Sequence, residues 1–354
     1  MYPKQKSIEI ILKNQDQKGS YIASPVFDTY KFCWMRDGSF IAWSMDISGR
    51  PESAGMFFDW TDTVISGKMD HIYRIISIHD MGEKLLNSDF LPARYHMDGS
   101  DTNDEWPNFQ LDGYGTWLWA LCRHVEITGN VRLIDKYSKS IRAVANYLIS
   151  FWNVPCYDCW EENGDKTHTA TLACIYGGLN SIRTYLDEPG IFTTACAIKE
   201  YILTHCIGNG RLLKYPGSDD IDSSLLWTAL PFHVIDANDT IMVNTVQEIE
   251  KRLLHGRGVH RYSEDTYYGG GEWILLSCWL GWYYAISGRK NEAIEILEWV
   301  ESQADAEIGL PEQVLGHVYK PEYINKWKEL WGEPAMPLLW SHAMHLILLN
   351  ALGR

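Results

Sequence analysis

No stretch of this 354-residue sequence is long and apolar enough to cross a bilayer as a helix. The most apolar run, Trp273 to Ile286, is broken by Ser277 and Gly281 and falls short of the roughly 20 residues a span requires. A secretory h-region is missing as well. The longest early apolar run is Ile10-Ile11-Leu12, which sets the expectation of a cytoplasmic protein. Basic residues are in deficit, with 31 Lys and Arg against 46 Asp and Glu and a net charge of −15. Nucleic acid and anionic membranes are therefore excluded as main partners, since both need a basic face. Cysteines are few and scattered, at 33, 122, 156, 159, 174, 196, 206 and 278. Cys156-x-x-Cys159 has no second pair and no thioredoxin-like context, so buried, reduced thiols are expected rather than redox or zinc chemistry. Strand-like alternation is scarce, and no linker, low-complexity tract or break in composition appears. That predicts one domain over 1–354.

What is abundant is helical periodicity and aromatic surface. Ile134, Tyr137, Ile141, Val144, Ala145, Leu148 and Phe151 follow the 3.6-residue period, as do Ala293, Ile296, Leu297, Val300 and Ala304. About twelve helices are predicted, near 5–15, 38–48, 52–67, 111–128, 130–153, 168–184, 188–205, 222–229, 238–253, 272–287, 289–303 and 336–351. Short joins alternate with long loops at 16–37, 82–110, 154–167, 206–221, 254–271 and 304–335. Six helical hairpins closed into an α/α toroid give this alternation and gather the long loops at one end. An irregular all-α globule is the alternative. The chain holds 16 Trp, 20 Tyr and 10 Phe; this many rings suits either a large core or a cleft that stacks on sugar faces.

The long loops carry indole, guanidinium and carboxylate together, the inventory that sugar hydroxyls and C–H faces require. Hydrolysis of a glycosidic bond needs one protonated carboxyl and one ionised one. Glu161 beside Trp160 has an apolar neighbour able to raise its pKa, and Glu312, in a separate loop, can face it across a cleft. On spacing alone this pair is one choice among 46 acidic residues. The Gly269–Gly271 run lacks the strand and Lys-Ser/Thr of a phosphate loop and is expected as a flexible rim or as backbone close to sugar. His342 and His345 share a helix face with no third ligand evident, which predicts packing or capping.

These segments, in order from Tyr30 to His342, resemble the glucoamylase family, glycoside hydrolase family fifteen. The segments are Trp34-x-Arg36-Asp37, Trp106-x-x-x-Gln110-x-Asp112-Gly113 and Trp160-Glu161-Glu162, followed by Arg261-Tyr262-x-x-Asp265-x-Tyr267-Tyr268-x-Gly270, Pro311-Glu312-Gln313 and Trp340-Ser341-His342-Ala343. The resemblance implies an all-α (α/α)6 barrel and an inverting exo-hydrolase that releases β-D-glucose from non-reducing α-glucosyl ends. It implies Glu161 as general acid, Glu312 as general base and Tyr30 near the attacking water. It implies a substrate-binding set of Tyr30, Trp34, Arg36, Asp37, Trp106, Asp112, Trp160, Glu162, Arg261, Asp265 and Tyr267, with no metal and no organic cofactor. The expected partner is an α-glucoside oligosaccharide. Some 30 residues before Tyr30 cannot hold the β-sandwich that prokaryotic relatives often carry there, so a short oligosaccharide is expected rather than granular starch. The linkage, α-1,4, α-1,6 or α,α-1,1, stays open. So do a glycoside phosphorylase on the same barrel, a trehalase-type hydrolase and an inactive sugar-binding homologue.

Overall fold

The computed structural model describes residues 2–102 and 105–354; positions 103 and 104 of the predicted 82–110 loop lie outside that set. Six inner elements form a closed ring: α2 (Met35–Ile47), α5 (Asp112–Thr128), α8 (Thr169–Ile182), a 3-10 turn over Ser223–Thr228, α11 (Ile274–Ile286) and α14 (Leu339–Ala351). Each packs on the next, and α14 packs back on α2. The reason lies in their sequences. In α11 every residue from Ile274 to Tyr284 is buried, as a helix hydrophobic all round must be. Amphipathic helices form the outer layer: α1 (Lys4–Lys13), α3 (Pro51–Ser66), α7 (Ser138–Phe151), α9 (Pro189–His205), α10 (Thr240–Leu253) and α12 (Lys290–Ser302). This is the expected (α/α)6 barrel. The closest inner approach is at α5 and α8, where a Cβ on Gly115 would sit 2.4 Å from the Cys174 carbonyl oxygen. Only glycine allows backbones that near.

Three features differ from the sequence expectation. The predicted 130–153 helix is split at Tyr137 into α6 (Arg132–Lys136) and α7. Two helices were not predicted, α4 (Met69–Asp80) and α13 (Ile324–Trp331). The 222–229 candidate is a 3-10 turn, and it fills the fourth inner place without the length of a true helix.

Every long loop runs into the start of an inner element. The inner N-termini therefore gather at one end, and their macrodipoles place partial positive charge there. Short strands tie the loops together. β1 (Cys33–Trp34) pairs with β2 (Arg94–Tyr95), and β3 (Ile207–Gly208) with β4 (Arg211–Leu212). A four-stranded antiparallel sheet runs β5 (Leu254–His255), β6 (Gly258–Val259), β7 (Glu272–Trp273) and β8 (Gln313–Val314). In the sheet, Trp273 lies opposite Gln313, so the segments leading into α11 and α14 are held side by side. Gly269 and Gly270, at φ of 81° and 70°, turn the chain into β7. A Cβ on Gly271 would meet the Val314 carbonyl at 2.7 Å. The glycine run thus serves strand pairing and does not line the cavity, contrary to its expected place at a sugar rim.

All eight cysteines are free, and all but Cys196 are buried. Burial pushes the Cys156 thiol up to about 12 and the Cys159 thiol well above its ordinary value, which leaves both without reactive thiolate. His342 and His345 meet the Ser7 hydroxyl at 2.9 and 3.0 Å and fasten α1 to α14, a packing role as expected. No helix among the described residues is long and apolar enough to cross a membrane.

Candidate active site

A cavity of about 380 Å³ opens at the inner N-terminal end of the barrel. Glu161 and Glu312 both line it, together with Tyr30, Trp34, Arg36, Asp37, Trp106, Trp160, Glu162, Arg261 and Tyr267. Two members of the sequence-derived set do not. Asp112 is fully buried behind Arg36, whose Nη1 it accepts at 3.0 Å. Asp265 is fully buried behind Arg261; it accepts Nε at 2.7 Å, pairs with Nη2 through its other oxygen, and accepts the Tyr267 backbone N–H at 2.9 Å. Each holds a guanidinium whose planar fork then faces the cavity. Neither lines the cavity, and each braces an arginine that does.

Glu161 sits at φ 69°, a left-handed backbone that a non-glycine residue adopts at a cost of order 1–3 kcal/mol. The turn around it is over-determined. Asp158 Oδ1 accepts the backbone N–H groups of Trp160 and Glu162 at 3.0 and 2.9 Å, and the Glu161 N–H donates to the Asp158 carbonyl at 2.9 Å. Lys214 Nζ lies 3.2 Å from Asp158 and 2.9 Å from Asp222. Burial works against the Lys214 charge, but the two carboxylates prevail and raise its pKa. The indole that hydrogen-bonds the Glu161 carboxyl is Trp34, at 2.7 Å. Trp160 turns its own N–H away, to Asp222, so the indole that engages Glu161 is Trp34 and not its neighbour in sequence. Gln110 Nε2 donates to the same Glu161 Oε1 at 3.1 Å, while its Oε1 accepts from Arg36 at 2.8 Å. With both donors on Oε1, a proton on this carboxyl belongs on Oε2.

Glu312 is 1% exposed. Burial pushes its carboxyl up to about 7, with hydrogen bonds from Tyr30 and Gln313 and the charge of Arg261 opposing. Tyr30 donates to Oε1 at 2.8 Å, and the Tyr267 hydroxyl lies 2.9 Å from that of Tyr30. Burial also holds both phenols well above their ordinary values. They therefore remain neutral donors, Tyr267 to Tyr30 and Tyr30 to Glu312. The Tyr30 and Trp34 rings meet edge to face at 5.7 Å, so one aromatic wall connects the supports of the two carboxyls.

The rest of the cavity is built for a polar ligand with flat faces. Arg36 Nε and Asp37 Oδ2 are buried, lie 3.6 Å apart and have no hydrogen-bond partner among the described residues. Burial raises Asp37 to about 7 against the pull of Arg36. The indole N–H groups of Trp106, Trp273 and Trp340 are likewise buried with no partner among the described residues. Unpaired buried polar groups are costly, and sugar hydroxyls match them. Glu162 accepts from the Tyr262 hydroxyl and lies 3.8 Å from Arg261, and burial raises its pKa. Trp106 stacks under the Arg94 guanidinium at 3.7 Å.

Reading the sequence missed Trp327 and Trp331. They stand four residues apart on α13, pack at 4.9 Å and line the cavity beside Trp106. Their i, i+4 spacing was the available signal, set in a stretch of alternating charge that reads as loop. It also missed Gln110 as the bridge between Arg36 and Glu161.

Tyr30→Phe removes a bond that lowers the Glu312 pKa. With Glu312 as the base, the acid limb of kcat/KM lies near 7 and moves to higher pH in this variant, since activity requires the ionised form. A pH profile of kcat/KM checks this. A limb that stays in place would separate it from the Tyr30–Glu312 bond.

The chain is similar to known proteins over nearly all of its length. Residues 4–328 match the model of glycosyl hydrolases family 15. An isomaltose glucohydrolase of Kribbella flavida is 38% identical over 351 residues, covering 97% of this chain and 91% of its own. A wild-type glycosidase of solved structure superimposes with a TM-score of 0.95 at 38% identity, over 99% of this chain and 96% of its own. A variant of such a glycosidase, with a glutamate replaced by alanine and solved in complex with glucose, does so at 37% identity, with the same TM-score and coverage. A bacterial glucoamylase complexed with acarbose, 21% identical, shares the fold with a TM-score of 0.75 over 98% of this chain and 55% of its own.

Proposed function

The chain belongs to glycosyl hydrolases family 15 and is a glycoside hydrolase; from that premise we propose that it is an inverting exo-α-glucosidase. We take its substrates to be short α-1,6-linked gluco-oligosaccharides of the isomaltose type, and 1–354 to be one catalytic domain. The observation that carries the reading is the pair of carboxyls in one cavity, each with its Oε1 engaged by an aromatic donor, while Oε2 of Glu312 meets Gln313 Nε2 at only 3.4 Å. The α-1,6 preference is supported by the near full-length similarity to an isomaltose glucohydrolase.

In this mechanism the terminal glucose ring lies against the tryptophans, with its hydroxyls on Arg36 and Asp37. Glu161 gives its Oε2 proton to the glycosidic oxygen as the C1–O bond breaks. Glu312 takes a proton from a water that attacks C1 on the opposite face, and Tyr30 holds the base in place. One proton leaves Glu161 and one arrives at Glu312, so the two exchange through solvent before the next turnover. Room for the water calls for a carboxyl separation of about 6.5–9.5 Å. Attack from the opposite face yields β-glucose. Eight unpaired cysteines favour a reducing, cytoplasmic setting.

Proton NMR during incubation with isomaltose, maltose, trehalose and a malto-oligosaccharide, with and without phosphate, tests the proposal. Isomaltose is expected to be cleaved fastest, with the β-glucose anomeric signal first. First-formed α-glucose would sink inversion. Trehalose as best substrate would make the protein a trehalase, and cleavage only with phosphate a phosphorylase. Glucose binding without any cleavage would leave a sugar-binding protein.

A further inference from the structure

Away from the cavity, the four-stranded sheet carries a cluster that the reaction does not use. His255 of β5, Glu272 of β7 and His317, just beyond β8, each present one ligating atom, all within 4.8 Å of one another. They come from three separate chain segments and form the one such group found among the described residues. Glu272 is 6% exposed. Its carboxyl occupies the space where Gly258 lacks a side chain, since a Cβ there would fall 2.5 Å from the carboxyl carbon. Its Oε1 lies 3.3 Å from His255 Nδ1. Ligand atoms about 2.0–2.2 Å from a tetrahedral zinc are themselves about 3.3 Å apart, so this edge is already at the required spacing.

His317 is aimed by a neighbour. His260 Nδ1 lies 2.9 Å from the Gly270 carbonyl oxygen, which can only accept, so the proton sits on Nδ1 and Nε2 accepts. His317 Nδ1 lies 3.2 Å from that Nε2 and therefore donates to it. The lone pair of His317 is then on Nε2, the outer-sphere arrangement that orients metal-binding histidines. The His255 and His317 rings are parallel, 3.5 Å apart. His255 is largely exposed and has the freedom to tilt its ring by the small amount that convergence on one ion requires.

We propose that His255, Glu272 and His317 bind a divalent transition-metal ion, with Zn2+ the best match to two imidazoles and a carboxylate, and water filling the fourth place. None of the three lines the cavity, so the ion's part is structural. It ties β5 and β7 to the segment after β8, the strand that immediately follows Glu312.

The test uses untagged, EDTA-treated full-length protein, titrated with ZnCl2 by isothermal calorimetry. One Zn2+ per chain is expected, with a micromolar or tighter Kd and a Tm raised by a few degrees at saturation. His255→Ala and His317→Ala are each expected to weaken binding at least about tenfold, and the double variant to abolish it. Glucose release in EDTA should match wild type in all three. A zinc K-edge spectrum of the wild type should contain two imidazole nitrogens. The proposal fails if there is no saturable one-to-one binding, if binding survives in the double variant, or if Ca2+ or Mg2+ binds more tightly than Zn2+. Should the variants misfold, a wild-type spectrum without two imidazoles overturns it alone.

Discussion

Glu312→Gln is expected to lower kcat by about 10²–10⁴-fold, the range for losing a general base, and also to make the protein more stable above pH 7. Burial raises the Glu312 carboxyl from an ordinary 4.5 to about 7. A raised folded-state value means that protonation favours the native form. The stability it confers is fully present below about pH 4 and is lost as pH climbs through 7. At pH 8 the wild type carries a buried charge that the amide does not. The rise to about 7 corresponds to about 3 kcal/mol, or about 4 °C in Tm for a chain of this size. Scanning calorimetry at pH 4, 6 and 8 should find no gain at the lowest pH and the full gain at the highest. Retained kcat would remove Glu312 from the base role; a Tm difference independent of pH would remove the buried-charge explanation.

Glu161→Gln should produce a loss of similar size on isomaltose that disappears when the leaving group needs no proton. Fluoride departs from α-glucosyl fluoride as the anion, so this variant should hydrolyse it at close to the wild-type rate, while Glu312→Gln should remain slow. If Glu161→Gln is equally slow on both substrates, its carboxyl is needed for something other than protonation, such as holding Trp34 and Gln110, whose donors meet at its Oε1.

The barrel was legible because inner and outer helices differ in kind. Runs such as Ile274–Tyr284 are apolar on every side, whereas α7 alternates faces, and short joins between them imply antiparallel hairpins. α4 was harder to see, since between Met69 and Asp80 only Ile72 and Ile75 are buried. α13 has no buried residue, so no core-facing stripe marked it. Strands of two residues are too short to display alternation. The carboxyl pair was legible through local motifs. Its supports were not: Asp158, Lys214 and Asp222 meet only in space. Nor does a motif distinguish a side chain that lines the cavity from one behind it, where Asp112 and Asp265 stand.

The contact that fastens α1 to α14 bears on how the chain is made. Ser7 in α1 joins His345 in α14 across 338 positions of sequence. At a ribosomal rate of about 5–20 residues per second, roughly 17–68 s pass before the second partner is synthesised. Through that interval Ile8 and Ile11, buried in the finished protein, have no α14 to cover them. The nascent chain is an open horseshoe with two sticky ends, and its first helix is the last to find its place. Synthesis in a system depleted of chaperones should therefore yield aggregate seeded by the amino-terminal segment, and a pause late in translation should make this worse.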